Sequence, residues 1–265
     1  MRQKTISKEI SISGIGIHSG KKSQITICPA DVNSGINFQR IDLKEKPMVK
    51  AIFSNVISTN RSTNIKNNNA EVHTIEHLMA SISALEIDNL LIKIDNIEVP
   101  ILDGSSKAFT KLLKNCKITL QSKVKKYIKV NKNHTINCDE TDSFYLVEPA
   151  EKFSVEVRLD YDKRFLKNQI AVLEDINKFE TEISSARTFS FLNEVEHLIK
   201  DDLIKGGNLD NSVIIVNEKV SEDIKVYLIN KFGKENLSFE AGKLLNKKKL
   251  RFDNEPARHK LLDFI

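Results

Sequence analysis

The hydrophobic pattern changes its period close to Val72, and this change limits the possible folds more than any other feature of the sequence. Before it, apolar and polar residues alternate in SKEISISGIGIHSGKKSQITICPA (residues 7–30), which predicts two strands joined across residues 14–20. After it, apolar residues follow the i, i+3, i+4, i+7 spacing of an amphipathic helix: Ile75, Leu78, Met79, Ile82 and Leu85. The next segment, DNLLIKID, predicts a buried strand.

Strands and helices continue to follow one another in the rest of the chain. EVPILDGSS predicts a turn whose Asp103 or Ser105 caps a helix over residues 106–115. Further on, SFYLVEP, KFSVEVRLD and SVIIV predict strands, and residues 191–200 predict a helix. Strand runs followed by helices, without strict βαβ alternation, predict an α+β fold.

The length of 265 residues favours two modest domains over one large domain. Charge density rises and the strand pattern restarts at QSKVKKYIKV, so we place the boundary there. We therefore expect an N-terminal α+β domain over residues 1–122 and a C-terminal α+β domain over residues 123–265.

Charge and cysteine usage exclude several classes of protein. Lys and Arg number 41 against 36 Asp and Glu, and the resulting net charge of +5 is scattered, which argues against nucleic-acid binding. The three cysteines are widely spaced and form no CxxC pair, so a disulfide framework and a zinc ribbon are both disfavoured. The start of the chain lacks an apolar signal region, and no run of about 18 apolar residues occurs. We expect a cytoplasmic monomer without a transmembrane segment.

The motif HTIEH places His73 and His77 four residues apart with Glu76 between them. On a helix both imidazoles would lie on one face, and Glu76 would stand where a general base could serve a bound metal ion. The same letters match the HxxEH signature of one class of zinc protease. A short pattern of this kind also arises by chance, so the motif alone leaves a metal site and a solvent-facing pair equally open.

A second pair of possible ligands lies at the end of the chain. EPARHKLLDFI places His259 and Asp263 four residues apart, and Pro256 signals the start of a helix. An exposed i, i+4 contact between histidine and aspartate is a common alternative. Together with His77, however, the pair would supply the three nitrogen and oxygen ligands of a catalytic zinc, leaving the fourth position for water.

Six blocks of the sequence carry a resemblance to a known family. In chain order they are GIGIHSG, HTIEHLMAS, EVPILDGS, ARTFSF, GGNLDNSVI and LRFDNEPARHKLLD. They resemble the UDP-3-O-acyl-N-acetylglucosamine deacetylases, the zinc amidases of lipid A biosynthesis in Gram-negative bacteria, and the resemblance spans the chain. It implies two α+β domains, each with a sheet against a helix layer and with the active site between them.

The resemblance also implies roles for individual residues. His77, His259 and Asp263 match the ligands of Zn²⁺, and His73 becomes a neighbour of the site. Glu76 matches the general base. Thr188 matches a hydroxyl that helps to stabilise the oxyanion.

Four further positions are implied to bind the substrate, a UDP-sugar that carries an acyl chain. Lys260 matches a contact to the nucleotide part, and Phe191 matches an aromatic side chain at the site. Ile17 and His18 match positions near the acyl chain and the far side of the cleft. A substrate of this kind also implies a possible transient contact with a membrane surface.

The sequence departs from the family pattern after Asp263. Family members continue to a Gly-His whose histidine is the proposed general acid, whereas this sequence ends two residues later. Neither His134 nor His197 stands in a similar context. We therefore expect a truncated chain of uncertain activity, with a zinc protease and a zinc- or ligand-binding remnant as alternatives.

Overall fold

The computed structural model describes residues 1–139, 141–161, 166, 168–200 and 203–265. Within them lie six α-helices and sixteen strands, and the mixture of mostly antiparallel strand pairs with separate helices confirms the predicted α+β class. The helices are α1 (Glu76–Ala84), α2 (Lys107–Lys114), α3 (Phe179–Glu182), α4 (Leu192–Lys200), α5 (Glu222–Phe232) and α6 (Glu255–Phe264). None of the helices in this part of the chain is long and apolar enough to cross a membrane.

Ten strands lie before residue 125: β1 (Arg2–Ile6), β2 (Ile10–Ile15), β3 (Lys22–Pro29), β4 (Ile36–Arg40), β5 (Met48–Lys50), β6 (Val56–Ser58), β7 (Asn64–Asn67), β8 (Ala70–Val72), β9 (Leu90–Ile94) and β10 (Ile118–Val124). Five of them form the largest sheet, in the order β2-β3-β9-β4-β5. In that sheet β4 and β9 run parallel, and the other neighbours run antiparallel.

The core of this half follows from the period-2 pattern of its strands. One face of β3 and β9 buries Ile25, Ile27, Leu90, Ile92 and Ile94 against α1 and α2. Leu78 of α1 and Phe109 of α2 are fully buried in the same cluster. The sheet and the two helices therefore form one layer pair, and α1 lies between this core and the second half of the chain.

Six strands follow residue 133: β11 (His134–Asn137), β12 (Phe144–Val147), β13 (Val155–Leu159), β14 (Gln169–Leu173), β15 (Phe189–Phe191) and β16 (Val213–Ile215). They pair as β11-β12, β13-β14 and β15-β16, and the last pair is parallel, with α4 in the crossover. Among the described residues, no sheet combines strands from both halves of the chain.

The two halves share a buried cluster where α1 meets α6. Ala80 and Ala84 of α1 lie in it beside Ala257 and Leu261 of α6, and α6 also packs on β13 and β14. Small side chains on both helices allow their backbones to approach closely. This packing therefore places polar residues of α1 close to polar residues of α6.

The helix after Val72 begins later than the sequence pattern indicates. Val72 ends β8, and Thr74 has a positive φ of 58°, so the helix starts only at Glu76. The strands predicted over residues 7–30 are confirmed as β2 and β3, and the predicted helix over residues 106–115 is confirmed as α2 with one residue fewer at each end.

A buried ion pair fixes the start of α6. Arg187 and Glu255 are 3% and 0% exposed, and the guanidinium donates to both carboxylate oxygens at 2.8 and 3.0 Å. The backbone N–H groups of Arg187 and Arg251 donate to the same carboxylate. Burial alone would raise the pKa of Glu255, but these hydrogen bonds outweigh it and hold that pKa below its ordinary value.

Replacing Arg187 with alanine should lower the free energy of unfolding by about 3–5 kcal/mol, because Glu255 would remain buried without its partner. Urea denaturation followed by circular dichroism measures the loss. Arg158 pairs with Glu156 on the surface and its side chain is 77% exposed, so Arg158→Ala is the matched control and should change stability by less than about 0.5 kcal/mol. Equal losses in the two variants would contradict the role given to the buried pair.

Candidate metal centre and active site

The motif HTIEH does not form a single helical turn. His73 lies before α1, where its backbone bridges to the segment around Glu98, and its ring contacts Glu71 at 2.7 Å. His77 instead lies in the first turn of α1 and is only 4% exposed. The expectation that both imidazoles share one helical face is therefore corrected, because the left-handed φ of Thr74 separates them.

His77, His259 and Asp263 come together although they are far apart in sequence. One ring nitrogen of each histidine and one carboxylate oxygen of Asp263 all lie within 4.8 Å of one another. The two imidazole rings meet edge to face with centroids 5.1 Å apart, and His259 Nε2 lies 3.6 Å from Asp263 Oδ1. Within the described residues this is the one group of three side chains that could hold a metal ion.

His259 is oriented by a backbone carbonyl. Its Nδ1 lies 3.1 Å from the oxygen of Ala186. Because a carbonyl oxygen can only accept, Nδ1 carries the hydrogen, and in the neutral ring Nε2 keeps its lone pair. This is the arrangement found behind most metal-binding histidines, where the second ring nitrogen donates to a carbonyl or a carboxylate.

His77 has the properties of a candidate metal ligand. Burial and, to a smaller extent, the neighbouring His259 lower its pKa to about 4, so the ring is neutral at pH 7. Its buried Nδ1 has no hydrogen-bond partner among the described residues. Two neutral imidazoles and a carboxylate are a donor set that suits zinc, so the residues present fit that metal.

Glu76 precedes His77 and is also buried. Burial, with smaller contributions from the carboxylates of Asp263 and Glu98, raises the pKa of its carboxyl to about 7. The N–H of Thr63 donates to Glu76 at 2.9 Å and holds the side chain in one orientation. A carboxyl group with a pKa near neutrality can accept and release a proton at physiological pH.

Lys260 and Phe189 stand beside the three-ligand group. Lys260 Nζ lies 3.4 Å from Asp263 Oδ2 and 5.8 Å from the centre of the Phe189 ring. The Phe189 ring also meets the His259 ring at 6.5 Å. Sequence reasoning missed Phe189, although it directly follows Thr188 in the quoted ARTFSF block.

Phe191 lies elsewhere. It is 2% exposed and packs against Tyr161 with ring centroids 5.2 Å apart, in a small cluster with Leu166 and Ile215. Phe189 is among the aromatic residues that line the cleft, and Phe191 is not. Phe191 is therefore enclosed by the core, and the substrate contact implied for it stays a prediction.

Thr188, Ile17 and His18 also line the cleft, which has a volume of about 2440 Å³. The N–H of Thr188 donates to Gly104 O at 2.7 Å, which fixes its backbone against the first half. The N–H of His18 donates to the buried carboxylate of Glu98 at 3.0 Å. Burial lowers the pKa of His18, and its buried Nδ1 has no partner in the described part of the chain.

Comparisons with known proteins agree with this geometry. Residues 3–234 match the family described as "LpxC: UDP-3-O-acyl N-acetylglycosamine deacetylase". The chain is 39% identical over 264 residues to the "Bifunctional enzyme LpxC/FabZ" of Porphyromonas gingivalis, with 100% of this chain and 57% of the relative covered. It is 36% identical to the "UDP-3-O-acyl-N-acetylglucosamine deacetylase" of Acidithiobacillus ferrooxidans, with 100% and 80% covered.

A similar match is found in Francisella tularensis, whose "UDP-3-O-acyl-N-acetylglucosamine deacetylase" is 36% identical over 271 residues, with 100% of this chain and 86% of the relative covered. The chain spans only 57% to 58% of the length of the bifunctional relatives. The family match covers most of the chain, and the relatives named for the deacetylase are aligned over all of it. The chain therefore belongs to the UDP-3-O-acyl-N-acetylglucosamine deacetylase family.

Proposed function

We propose that this protein hydrolyses the N-acetyl group of UDP-3-O-acyl-N-acetylglucosamine in lipid A biosynthesis, and that the reaction depends on zinc. The observation that carries the proposal is the meeting of His77, His259 and Asp263 beside Glu76. Two relatives that carry the deacetylase name are aligned over the whole of this chain. The cytoplasmic location and the monomeric state stay predictions from the sequence.

The proposed site lies between two α+β domains, residues 1–122 and 123–265. The strand pairing supports a division slightly later in the chain, since β10 ends at Val124 and the described sheets combine only strands that lie before residue 125 or only strands that lie after residue 133. The halves meet through α1 and α6 and through backbone hydrogen bonds from Gly206 to Ile17 and from Thr188 to Gly104. A cleft between two such units suits a substrate with a nucleotide at one end and an acyl chain at the other.

In this proposal His77, His259 and Asp263 hold the zinc ion. A zinc ion held there would polarise the amide carbonyl and lower the pKa of water to about 7. Glu76 accepts the proton that water loses during the attack, and the resulting carboxylic acid can give that proton to the amine nitrogen as the C–N bond breaks. The Thr188 hydroxyl donates to the developing oxyanion, where a fixed donor is most effective.

Four side chains form the proposed substrate contacts. Lys260 supplies a positive charge for the diphosphate, and its exposed ammonium lies next to the ligand group. Phe189, rather than the buried Phe191, supplies the aromatic contact. Ile17 and His18 also line the cleft, and in this proposal they contact the acyl chain.

The geometry does not support the alternative of an HxxEH protease. That mechanism uses both histidines of the motif as ligands. Here the ring of His73 is engaged by Glu71, and the three-ligand group of the described residues contains His77 without His73.

Replacing His77 with alanine should remove most of the bound zinc, whereas His73→Ala should leave it in place. The reason is that only His77 belongs to the three-ligand group. Elemental analysis after dialysis measures the zinc content of both variants, with the unaltered chain as reference. Similar losses from both variants would favour the protease alternative.

Glu76→Gln should keep the zinc and lower turnover by about 10²- to 10⁴-fold, because it removes the proton acceptor without removing a ligand. The amide side chain keeps the acceptor oxygen for the Thr63 N–H, so the fold is preserved. Release of acetate from the acylated UDP-sugar and zinc content are measured on the same sample. Unchanged turnover at full zinc occupancy would exclude Glu76 as the base.

A further inference from the structure

The short segment of residues 185–188 contacts α6 directly and is linked to α1 through the turn of residues 103–106. On one side, the Ala186 carbonyl accepts the hydrogen of His259 Nδ1. The next residue, Arg187, forms the buried pair with Glu255 in the first turn of α6. The segment therefore sets both the position of α6 and the orientation of its ligand.

On the other side, the same segment meets the turn of residues 103–106, which leads into α2. The N–H of Thr188 donates to Gly104 O at 2.7 Å, and the hydroxyl of Ser106 donates to the carbonyl of His77 at 2.7 Å. Gly104 has φ +77°, and a Cβ added to it would collide with the carbonyl of Asn211. The turn of residues 103–106 therefore has little freedom to move. Its last residue, Ser106, holds the start of α1 through the hydrogen bond to His77.

Arg251 joins the segment to the turn. Its Nη1 donates to Asp103 Oδ2 at 2.9 Å and to Ser185 O at 2.8 Å, and its backbone N–H donates to Glu255 at 2.6 Å. Asp103 in turn accepts from the hydroxyl of Ser105 at 2.7 Å. One side chain therefore links the turn that holds His77 to the segment that holds His259.

We propose that Arg251 is a positioning residue that sets the distance between His77 and His259. The inference rests on the proposed zinc site and deepens it, since it assigns the alignment of the ligands to a residue that contacts none of them. The guanidinium and the Asp103 carboxylate are 32% and 33% exposed, so solvent screens their attraction. The pair therefore contributes little to the stability of the fold. Its loss should instead change the relative positions of His77 and His259.

The test compares Arg251→Gln with Lys114→Gln in the full chain. Lys114 and Glu180 form another exposed ion pair between the two halves, and Lys114 lies on α2, away from the residues 185–188 segment. Arg251→Gln should weaken zinc binding by about 10- to 100-fold, the usual effect of losing a group that orients metal ligands. Lys114→Gln should bind zinc like the unaltered chain, and Arg251→Lys should recover part of the affinity because it keeps a cationic donor.

Zinc affinity is measured by competition with a chelator, and cobalt(II) absorption reports the geometry of the ligands. The variants are compared at equal fractions of folded protein, taken from thermal unfolding without metal. Unchanged zinc affinity and an unchanged cobalt spectrum in Arg251→Gln would overturn the proposal. Arg251 would then only form surface hydrogen bonds without positioning the ligands. Absence of zinc binding in the unaltered chain would instead overturn the proposed site itself, and the inference with it.

Discussion

The packing of α1 against α6 is the contact on which the rest of the site depends. Ala80 and Ala84 share a buried cluster with Ala257 and Leu261, and residues of this size allow the two helices to approach closely. Each helix contributes ligands from its own side of that contact. A larger side chain in the cluster would push the helices apart, because a close-packed interior has no spare volume to absorb it.

Burial at the same contact shifts the pKa values of its polar groups. Away from water, the neutral forms of Glu76 and His77 are favoured, as their shifted pKa values show. A dication bound nearby needs a neutral imidazole and stabilises an ionised carboxylate. In the proposed site, a bound cation would offset the cost of desolvation, since the buried Nδ1 of His77 has no hydrogen-bond partner among the described residues.

Much of this arrangement could be predicted from local sequence patterns and from the ordered blocks. The alternation in residues 7–30 gives β2 and β3, and the apolar spacing after Ile75 gives most of α1. The break at Thr74 could not be predicted, because a left-handed φ at threonine depends on the pairing of β8 and on the contact from Thr74 Oγ1 to Glu98. The sequence also could not predict that Phe189 lies at the cleft and Phe191 in the core, since the burial of each ring depends on tertiary packing.

In the proposed site, two helices from distant parts of the chain hold one zinc ion. X-ray absorption at the zinc edge of the zinc-loaded protein is the most direct test. We expect nitrogen and oxygen ligands alone, at about 2.0–2.2 Å, with the multiple-scattering signature of two imidazoles. A sulfur ligand at about 2.3 Å, or the signature of a single imidazole, would show that the zinc binds elsewhere and would contradict the proposed site.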